Sequence, residues 1–328
     1  MDIARRTLLG GGMALLTGSA TAQGPTPAAG DPNAPYFPPK ERFPLWPGKP
    51  PGAPARPIAP NWTMNNPAPN RELWIRGVPI PEVHVYHPAR PDGSSLLVLP
   101  GGGYEFLSIQ NEGLDPAERF NAERTTVFVL TYRLPVEGWQ NRSLVALQDA
   151  QRAMRLIRSR AREFGIRPDN LGVLGFSAGG HLAADLAVGH TGRTYAPVDS
   201  ADNLSELPAF MGLIYPVISL DVKISEGASS PNLLGPNPSP ELIAARSPAL
   251  HVTSLTPPSF IVAAFDDGLV HIENSLIWID AVHRAKGASV EAHLLAQGGH
   301  GFGLHLQKDL PGSRWPDLFA LWMRKHGG

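Results

Sequence analysis

Residues 172–180 read GVLGFSAGG, and this stretch decides the fold of the chain. The apolar run at 171–176 is typical of a buried strand, and residues 178–188 have the composition of a helix. Ser177 stands between them in the pattern G-x-S-x-G. A serine on so sharp a strand-to-helix turn needs small residues two positions before and after it. The stretch therefore predicts a strained turn that presents Ser177 as a nucleophile; the alternative is a tight structural turn with an idle serine.

The same alternation of strand and helix runs through the rest of the chain. Apolar or β-branched runs predict strands at 96–99, 125–132, 171–176, 210–217, 259–265 and 290–296, and alternating stretches at 72–76 and 82–87 predict a hairpin at a sheet edge. Helices are predicted at 116–122, 143–164, 178–188, 273–286 and 316–326. Strands that are apolar on both faces indicate a doubly wound, mostly parallel α/β sheet flanked by helices.

Residues 220–258 form a long excursion between two predicted strands. It is rich in serine and proline. A loop of this length in a compact domain is usually functional or contains small helices of its own. It is too polar to resemble the apolar lid of a lipase, so we expect no large cap domain.

The beginning of the chain predicts export. Arg5-Arg6 precede a short apolar run, and Ala20-Thr21-Ala22 match a small-residue cleavage site. Residues 1–22 are therefore predicted to be a signal peptide of the twin-arginine type, with a periplasmic or secreted product and no stable membrane insertion after cleavage. Residues 23–70 contain fifteen of the 35 prolines, which predicts a linker and an irregular arm packed on a catalytic domain at 71–328.

Composition excludes several classes of function. The net charge is −1 and the pI is about 6.8, which gives no electrostatic basis for binding nucleic acid. The chain has no cysteine, so a cysteine nucleophile and thiolate metal sites are excluded. The histidines are not spaced as ligands on one element, and no metal site is predicted. The oligomeric state stays open.

A serine nucleophile needs a base, and the base needs an acid that orients it. In hydrolases with this type of turn, the order along the chain is serine, acid, histidine. Asp266 and Asp267 follow the strand at 259–265, and His300 lies among glycines after the strand at 290–296. The predicted catalytic residues are thus Ser177, His300 as the base and one of the two aspartates. We favour Asp267, which opens the next turn.

An oxyanion site is predicted beside the first buried strand. Residues 100–104 read PGGGY, and their glycines let backbone N–H groups approach a substrate carbonyl. Gly102, Gly103 and Ala178 are the predicted donors, and Tyr104 is expected to contact substrate. A phosphate-binding loop is the alternative for such glycines, but the lysine and hydroxyl residue that it requires are missing. No cofactor is expected.

These motifs resemble the esterase and lipase branch of the α/β-hydrolase superfamily, and in particular exported bacterial acetyl esterases of the acetylxylan-esterase type. The matching stretches are 45–52 (LWPGKPPG), 100–104 (PGGGY), 129–135 (VLTYRLP), 175–180 (GFSAGG), 213–218 (LIYPVI), 273–276 (ENSL) and 298–303 (GGHGFG). The resemblance implies short acyl chains, chiefly acetyl. It also implies that the acid opens a D-x-x-V turn, which is 267–270 here and supports Asp267. Relatives often have proline where this chain has Gly268 and His271.

Together these observations predict a serine carboxylesterase that removes acetyl groups from small-molecule or oligosaccharide esters. A serine peptidase-like enzyme and a general short-chain esterase or lipase of the same fold are the alternatives. A glycan-binding module on a retired hydrolase scaffold is a further alternative, but its mark would be a disrupted triad. The particular sugar is left open.

Overall fold

A computed structural model describes residues 31, 34–66, 71–189, 191–225 and 227–327. The signal peptide predicted at residues 1–22 lies outside these residues. The strands are β1 (Arg42–Pro44), β2 (Asn61–Asn65), β3 (Glu72–Arg76), β4 (Glu82–Tyr86), β5 (Ser95–Leu99), β6 (Thr126–Thr131), β7 (Leu171–Phe176), β8 (Met211–Ile214), β9 (Ser259–Ala264) and β10 (Val290–Leu295). All of the strands predicted from apolar runs are confirmed, with shifts of a few residues at their ends, but β10 lies at the edge of the sheet and is partly exposed rather than buried.

Eight of these strands form one sheet in the order β1-β4-β6-β5-β7-β8-β9-β10. Six neighbouring strands of this order are parallel, namely β6, β5, β7, β8, β9 and β10, whereas β1 and β4 are antiparallel to their neighbours. Strands β5 to β9 are buried along their whole length, as their apolar sequences require. The parallel arrangement places the carboxyl ends of β5, β7, β8, β9 and β10 at one edge of the sheet.

Helices cover this sheet. They are α1 (Asp115–Ala122), α2 (Val145–Ser159), α3 (Ala161–Phe164), α4 (Ala178–Val188), α5 (Ser229–Leu234), α6 (Pro240–Ala245), α7 (Glu273–Arg284) and α8 (Trp315–His326). The single helix predicted at 143–164 is divided at Arg160, whose backbone leaves the helical conformation. Helices α5 and α6 lie in the excursion at 220–258, as expected for so long a connection. No helix in the described parts of the chain has the length and apolarity to cross a membrane.

The hairpin predicted from 72–76 and 82–87 is wrong. Strand β3 pairs with β2 in a separate two-stranded sheet, and β4 pairs with β1 and β6 in the main sheet. The connection between β3 and β4 contains Pro79 and Pro81, and Gly77 has a φ of +68°. This connection turns the chain away from β3, and the proline-rich arm supplies the pairing partners instead.

The proline-rich arm is therefore less irregular than predicted. It contributes β1 to the edge of the main sheet and β2 to the small sheet. Phe37, Leu45 and Trp46 are buried in the core, whereas Tyr36 is exposed. Prolines suppress long helices and central strands, but they leave room for the short edge strands found here.

Candidate active site

Ser177 occupies a strained turn between β7 and α4. Its backbone has a φ of 51° and a ψ of −118°, which non-glycine residues rarely adopt. Its N–H donates to the carbonyl of Ile214 at 3.0 Å, and its own carbonyl accepts from the N–H of Val217 at 3.1 Å. Both contacts join it to β8 and the residues just after it. The turn is thus held in place from the neighbouring strand.

The two glycines of the G-x-S-x-G pattern are required by close backbone contacts. A Cβ at Gly175 would lie 2.2 Å from the carbonyl oxygen of Gly179. A Cβ at Gly179 would lie 2.0 Å from the carbonyl oxygen of Leu99 at the end of β5. Atoms cannot approach so closely, so only glycine fits at either position. This confirms the reason inferred from the sequence for the glycines around Ser177.

His300 and Asp267 lie beside Ser177 in a hydrogen-bonded chain. The Nε2 atom of His300 is 2.9 Å from Ser177 Oγ, and its Nδ1 atom is 2.7 Å from Asp267 Oδ2. The other carboxylate oxygen of Asp267 accepts from the N–H groups of Leu269 and Val270 at 2.9 and 2.8 Å. With the Nδ1 proton donated to Asp267, Nε2 is free to accept the proton of the serine hydroxyl.

Asp266 has a different position. Its Oδ1 atom accepts from the N–H groups of Gly298 and Gly299, both at 2.8 Å, and the residue is exposed. It orders the loop that carries His300 but does not contact His300 itself. The choice between the two aspartates therefore falls on Asp267, as favoured from the sequence.

Gly102 and Gly103 line the cavity in front of Ser177. Their φ angles are 120° and 61°, so each adopts a conformation that favours glycine. Within the described residues, neither backbone N–H has a hydrogen-bond acceptor. Ala178 is the first residue of α4, and its N–H therefore has no acceptor within the helix. The N–H groups of the three predicted donors thus have no acceptor within the described residues, and their role as donors to an oxyanion stays a prediction.

Tyr104 is not where a substrate-binding residue would be. Its side chain is 1% exposed, and its hydroxyl lies 2.7 Å from Nδ1 of His181 beneath the turn. The Nε2 atom of His181 lies 2.7 Å from the carbonyl of Arg246, and burial lowers the pKa of this histidine to about 4. The expectation that Tyr104 contacts substrate is therefore corrected, because its positive φ of 61° turns the side chain into the core.

The cavity in front of Ser177 has a volume of about 340 Å³. Val217, Ala228, Leu269 and Val270 give it an apolar wall, and the rings of Trp74 and Phe106 stack at 3.9 Å along another part. A second, polar cavity of about 780 Å³ shares His300 with the first. In the described residues, no three His, Asp or Glu side chains are grouped to hold a metal ion.

Two buried residues, Glu112 and Tyr215, contact the loops that form the site. Sequence analysis did not identify them. Glu112 accepts hydrogen bonds from the N–H of Gly101 at 2.6 Å and from the hydroxyl of Tyr215 at 2.9 Å. The ring of Tyr215 packs edge-on against His300, with centroids 4.9 Å apart. Burial raises the pKa of Glu112 to about 7. Glu112 follows Gln110 and Asn111 in the sequence, so no local pattern indicated that it is buried or which groups it contacts.

A model of the BD-FAE family matches residues 84–281. This match covers more than half of the chain and includes both Ser177 and Asp267. The chain belongs to the BD-FAE family. Its α/β-hydrolase fold agrees with the doubly wound sheet expected from the sequence, and the resemblance to esterases of that superfamily is confirmed.

Two curated relatives show which enzymes this chain is similar to. It is 34% identical to an acetylxylan esterase of Xylanibacter ruminicola over 66% of its length, which is 42% of that protein. It is 33% identical to endo-1,4-beta-xylanase B of Butyrivibrio fibrisolvens over 63% of its length, which is 32% of that protein. The chain thus spans less than half the length of these curated relatives.

One solved structure is similar to this chain over most of the length of both proteins. It is an acetyl ester-xyloside bifunctional hydrolase from Caldicellulosiruptor lactoaceticus, with a TM-score of 0.70 and 32% sequence identity. The similarity covers 88% of this chain and 96% of that one. The fold described here is therefore found in an acetyl ester hydrolase that has no large additional region.

Proposed function

We propose that this chain is a serine carboxylesterase that removes acetyl and other short acyl groups from carbohydrate esters. The observation that carries the proposal is the hydrogen-bonded chain from Ser177 Oγ through the imidazole of His300 to Asp267, with steps of 2.9 and 2.7 Å. The same cavity is lined by Gly102 and Gly103, whose backbone N–H groups have no acceptor among the described residues. This is the arrangement that acyl transfer to a serine requires.

In the first half of the proposed reaction, Ser177 Oγ attacks the ester carbonyl while Nε2 of His300 takes the hydroxyl proton. The oxyanion that forms accepts hydrogen bonds from the N–H groups of Gly102, Gly103 and Ala178. His300 then gives its proton to the leaving alcohol oxygen as the C–O bond breaks. Asp267 holds the imidazole in the correct tautomer and stabilises its cationic form.

The second half repeats the same steps with water. His300 takes a proton from water, the hydroxide attacks the acyl group on Ser177, and the carboxylic acid leaves as the serine regains its proton. The reaction needs neither a metal ion nor a cofactor. The short apolar wall formed by Val217, Ala228, Leu269 and Val270 suits a small acyl group.

The choice of acetylated carbohydrate as substrate is supported by the relatives. Two of the three proteins compared above are described as acetyl ester hydrolases, and one of these is an acetylxylan esterase. A serine peptidase would share the same nucleophile and base. Hydrolysis of a dipeptide anilide faster than that of an acetyl ester would favour this second class.

The test is acetate release from acetylated xylan by the wild-type protein and by Ser177→Ala. We expect release by the wild type and loss of activity in the variant by a factor of about 10⁴ or more. p-Nitrophenyl acetate is measured in parallel. Equal rates for the two proteins on both esters would show that Ser177 is not the nucleophile. Hydrolysis of the aryl ester alone would retain the esterase but reject acetylated xylan as its substrate.

A further inference from the structure

The polar cavity next to His300 has no role in the reaction as described so far. It has a volume of about 780 Å³, and Glu72, Asn111, His300 and Gly301 line both this cavity and the one in front of Ser177. The two cavities therefore open into each other at the imidazole. We call the polar one the His300 groove, and its outer end is formed by Arg71, Asp115 and His305.

The chemistry of the proposed reaction places the leaving alcohol at this junction. His300 must deliver its proton to the alcohol oxygen, so that oxygen has to lie within hydrogen-bonding distance of Nε2. The acyl group occupies the smaller cavity, where the apolar wall lies. The remainder of the alcohol then has the His300 groove to enter, because this cavity adjoins the imidazole.

The basic side chains that line the His300 groove are paired with neighbouring carboxylates. Arg71 Nε donates to Asp31 at 2.8 Å, and His305 Nε2 lies 2.7 Å from a carboxylate oxygen of Asp115, a contact that raises the pKa of His305. Among the described lining residues, Arg71 and His305 are therefore both paired with carboxylates, so neither is left to bind a phosphate or carboxylate, and the single ring of Phe302 does not form an aromatic cage for a quaternary amine. It presents donors and acceptors together, which suits a neutral molecule with many hydroxyl groups.

Glu72 is the best-placed acceptor for such hydroxyls. Its Oε2 atom accepts from Ser108 Oγ at 2.8 Å, and its Oε1 atom accepts from Asn66 Nδ2 at 3.1 Å. A carboxylate has about four lone-pair positions, so two stay available after these contacts. Both contacts also fix the orientation of the carboxylate, which lies within the groove close to His300.

We propose that the His300 groove binds the sugar part of the ester, and that Glu72 holds it by accepting hydrogen bonds from sugar hydroxyls. This inference rests on the proposed function. His305 also lines the groove and is exposed, so the groove runs from the imidazole of His300 to the protein surface. Glu72 is thus a specificity-determining residue for the leaving group, while Ser177 and His300 carry out the chemistry.

The test compares two esters of the same acid. The specificity ratio is kcat/KM for an acetylated xylo-oligosaccharide divided by kcat/KM for p-nitrophenyl acetate. In Glu72→Gln the ratio should fall about tenfold, because hydrogen bonds to a charged acceptor are replaced by weaker neutral ones. The matched control is Glu118→Gln, an exposed carboxylate on α1 that lines neither cavity, and its ratio should stay within about twofold of wild type.

A binding measurement removes any dependence on turnover. Calorimetric titration of Ser177→Ala with unacetylated xylotriose should show binding, and adding Glu72→Gln should weaken it about tenfold. His305→Gln, at the exposed far end, should weaken xylotriose binding more than xylose binding. Because His305 is exposed, this variant tests the groove even if Glu72→Gln fails to fold.

The outcomes separate the two proposals. If the wild type deacetylates the oligosaccharide and the specificity ratio is the same in Glu72→Gln, the proposed role of the groove is overturned. The esterase proposal would then still stand. Absence of xylotriose binding to Ser177→Ala would also overturn it. Undiminished hydrolysis of p-nitrophenyl acetate by Ser177→Ala would instead refute the proposed function.

Discussion

Tyr215 donates a 2.9 Å hydrogen bond to the buried carboxylate of Glu112, and this contact joins the loops that build the candidate site. Glu112 also holds the N–H of Gly101 in the glycine loop after β5. The hydroxyl of Tyr215 accepts from the N–H of Gly303, and its ring contacts His300. One carboxylate thus links the loop of the predicted oxyanion donors to the loop of the predicted base.

The raised pKa of Glu112 predicts a pH dependence of stability. Burial raises it from 4.5 to about 7, although the Gly101 N–H and the nearby His300 act in the opposite direction. A raised carboxyl pKa means that the folded state binds the proton more tightly than the unfolded state does. The contribution of the Glu112 carboxyl group to the free energy of unfolding is therefore full below pH 4.5. It is lost as the pH rises through 7, by up to about 3 kcal/mol.

Glu112→Gln is the control for this pH dependence, because the amide keeps the shape but does not titrate. Urea unfolding of both proteins at pH 5, 6, 7 and 8 gives the comparison. The free energy of unfolding of the wild type, relative to that of the variant, should decrease over this range. Parallel curves would mean that Glu112 has the same pKa in the folded and unfolded states.

Asp267 and Asp266 form a matched pair for mutation. Asp267→Asn should lower kcat for p-nitrophenyl acetate by a factor of about 10³–10⁴, because an amide next to Nδ1 disfavours the tautomer that His300 needs. Asp266→Asn keeps an oxygen for the N–H groups of Gly298 and Gly299, so its kcat should change by no more than a few-fold. A larger loss in Asp266→Asn than in Asp267→Asn would reverse the assignment of the acid.

Tyr104→Phe separates a structural role from substrate binding. Removing the hydroxyl leaves the buried Nδ1 of His181 without its partner, which should lower the free energy of unfolding by about 1–3 kcal/mol. KM for acetyl esters should stay the same, because the side chain points away from the cavity. A higher KM with undiminished thermal stability would return Tyr104 to the substrate site.

Gly179→Ala tests the packing of the turn. The added methyl group would lie 2.0 Å from the carbonyl oxygen of Leu99, so the α4 helix must move away from β5. We expect a loss of about 3 kcal/mol or more in the free energy of unfolding. Gly48→Ala is the control, since a Cβ there has no atom within 4 Å, and its effect should be below about 0.5 kcal/mol. Similar melting temperatures for both variants would show that the turn is not tightly packed.

The central sheet could be predicted because its strands are marked by local sequence. Strands β5 to β9 are buried on both faces, so they appear as uninterrupted apolar runs, and the turn at Ser177 is defined by its two glycines. The order of strands after Ser177 then indicated where the acid and the base would lie. The position of His300 and Asp267 beside Ser177 could be predicted because parallel strands bring their following loops to one edge.

The predictions that were wrong or incomplete concern contacts between segments that are far apart in the sequence. The partner of β3 is β2 in the proline-rich arm, and nothing in the sequence of either strand specifies this pairing. Tyr104 was misplaced because its side-chain direction depends on a backbone φ of 61°, which a run of glycines does not reveal. Glu112 was missed because its importance comes from Gly101 and Tyr215, and Tyr215 follows β8, about a hundred residues further along the chain.

Strand β1 protects an otherwise open boundary of the main sheet. Arg42 to Pro44 pair with residues 82–84 of β4, so without β1 the N–H and C=O groups on the side of β4 away from β6 would be left unpaired. Such a row of groups recruits strands from other molecules and promotes aggregation. A strand of three residues that ends in proline is itself a poor template for further pairing. We therefore expect a shortened protein that starts at residue 71 to self-associate through β4 more readily than the protein with its arm.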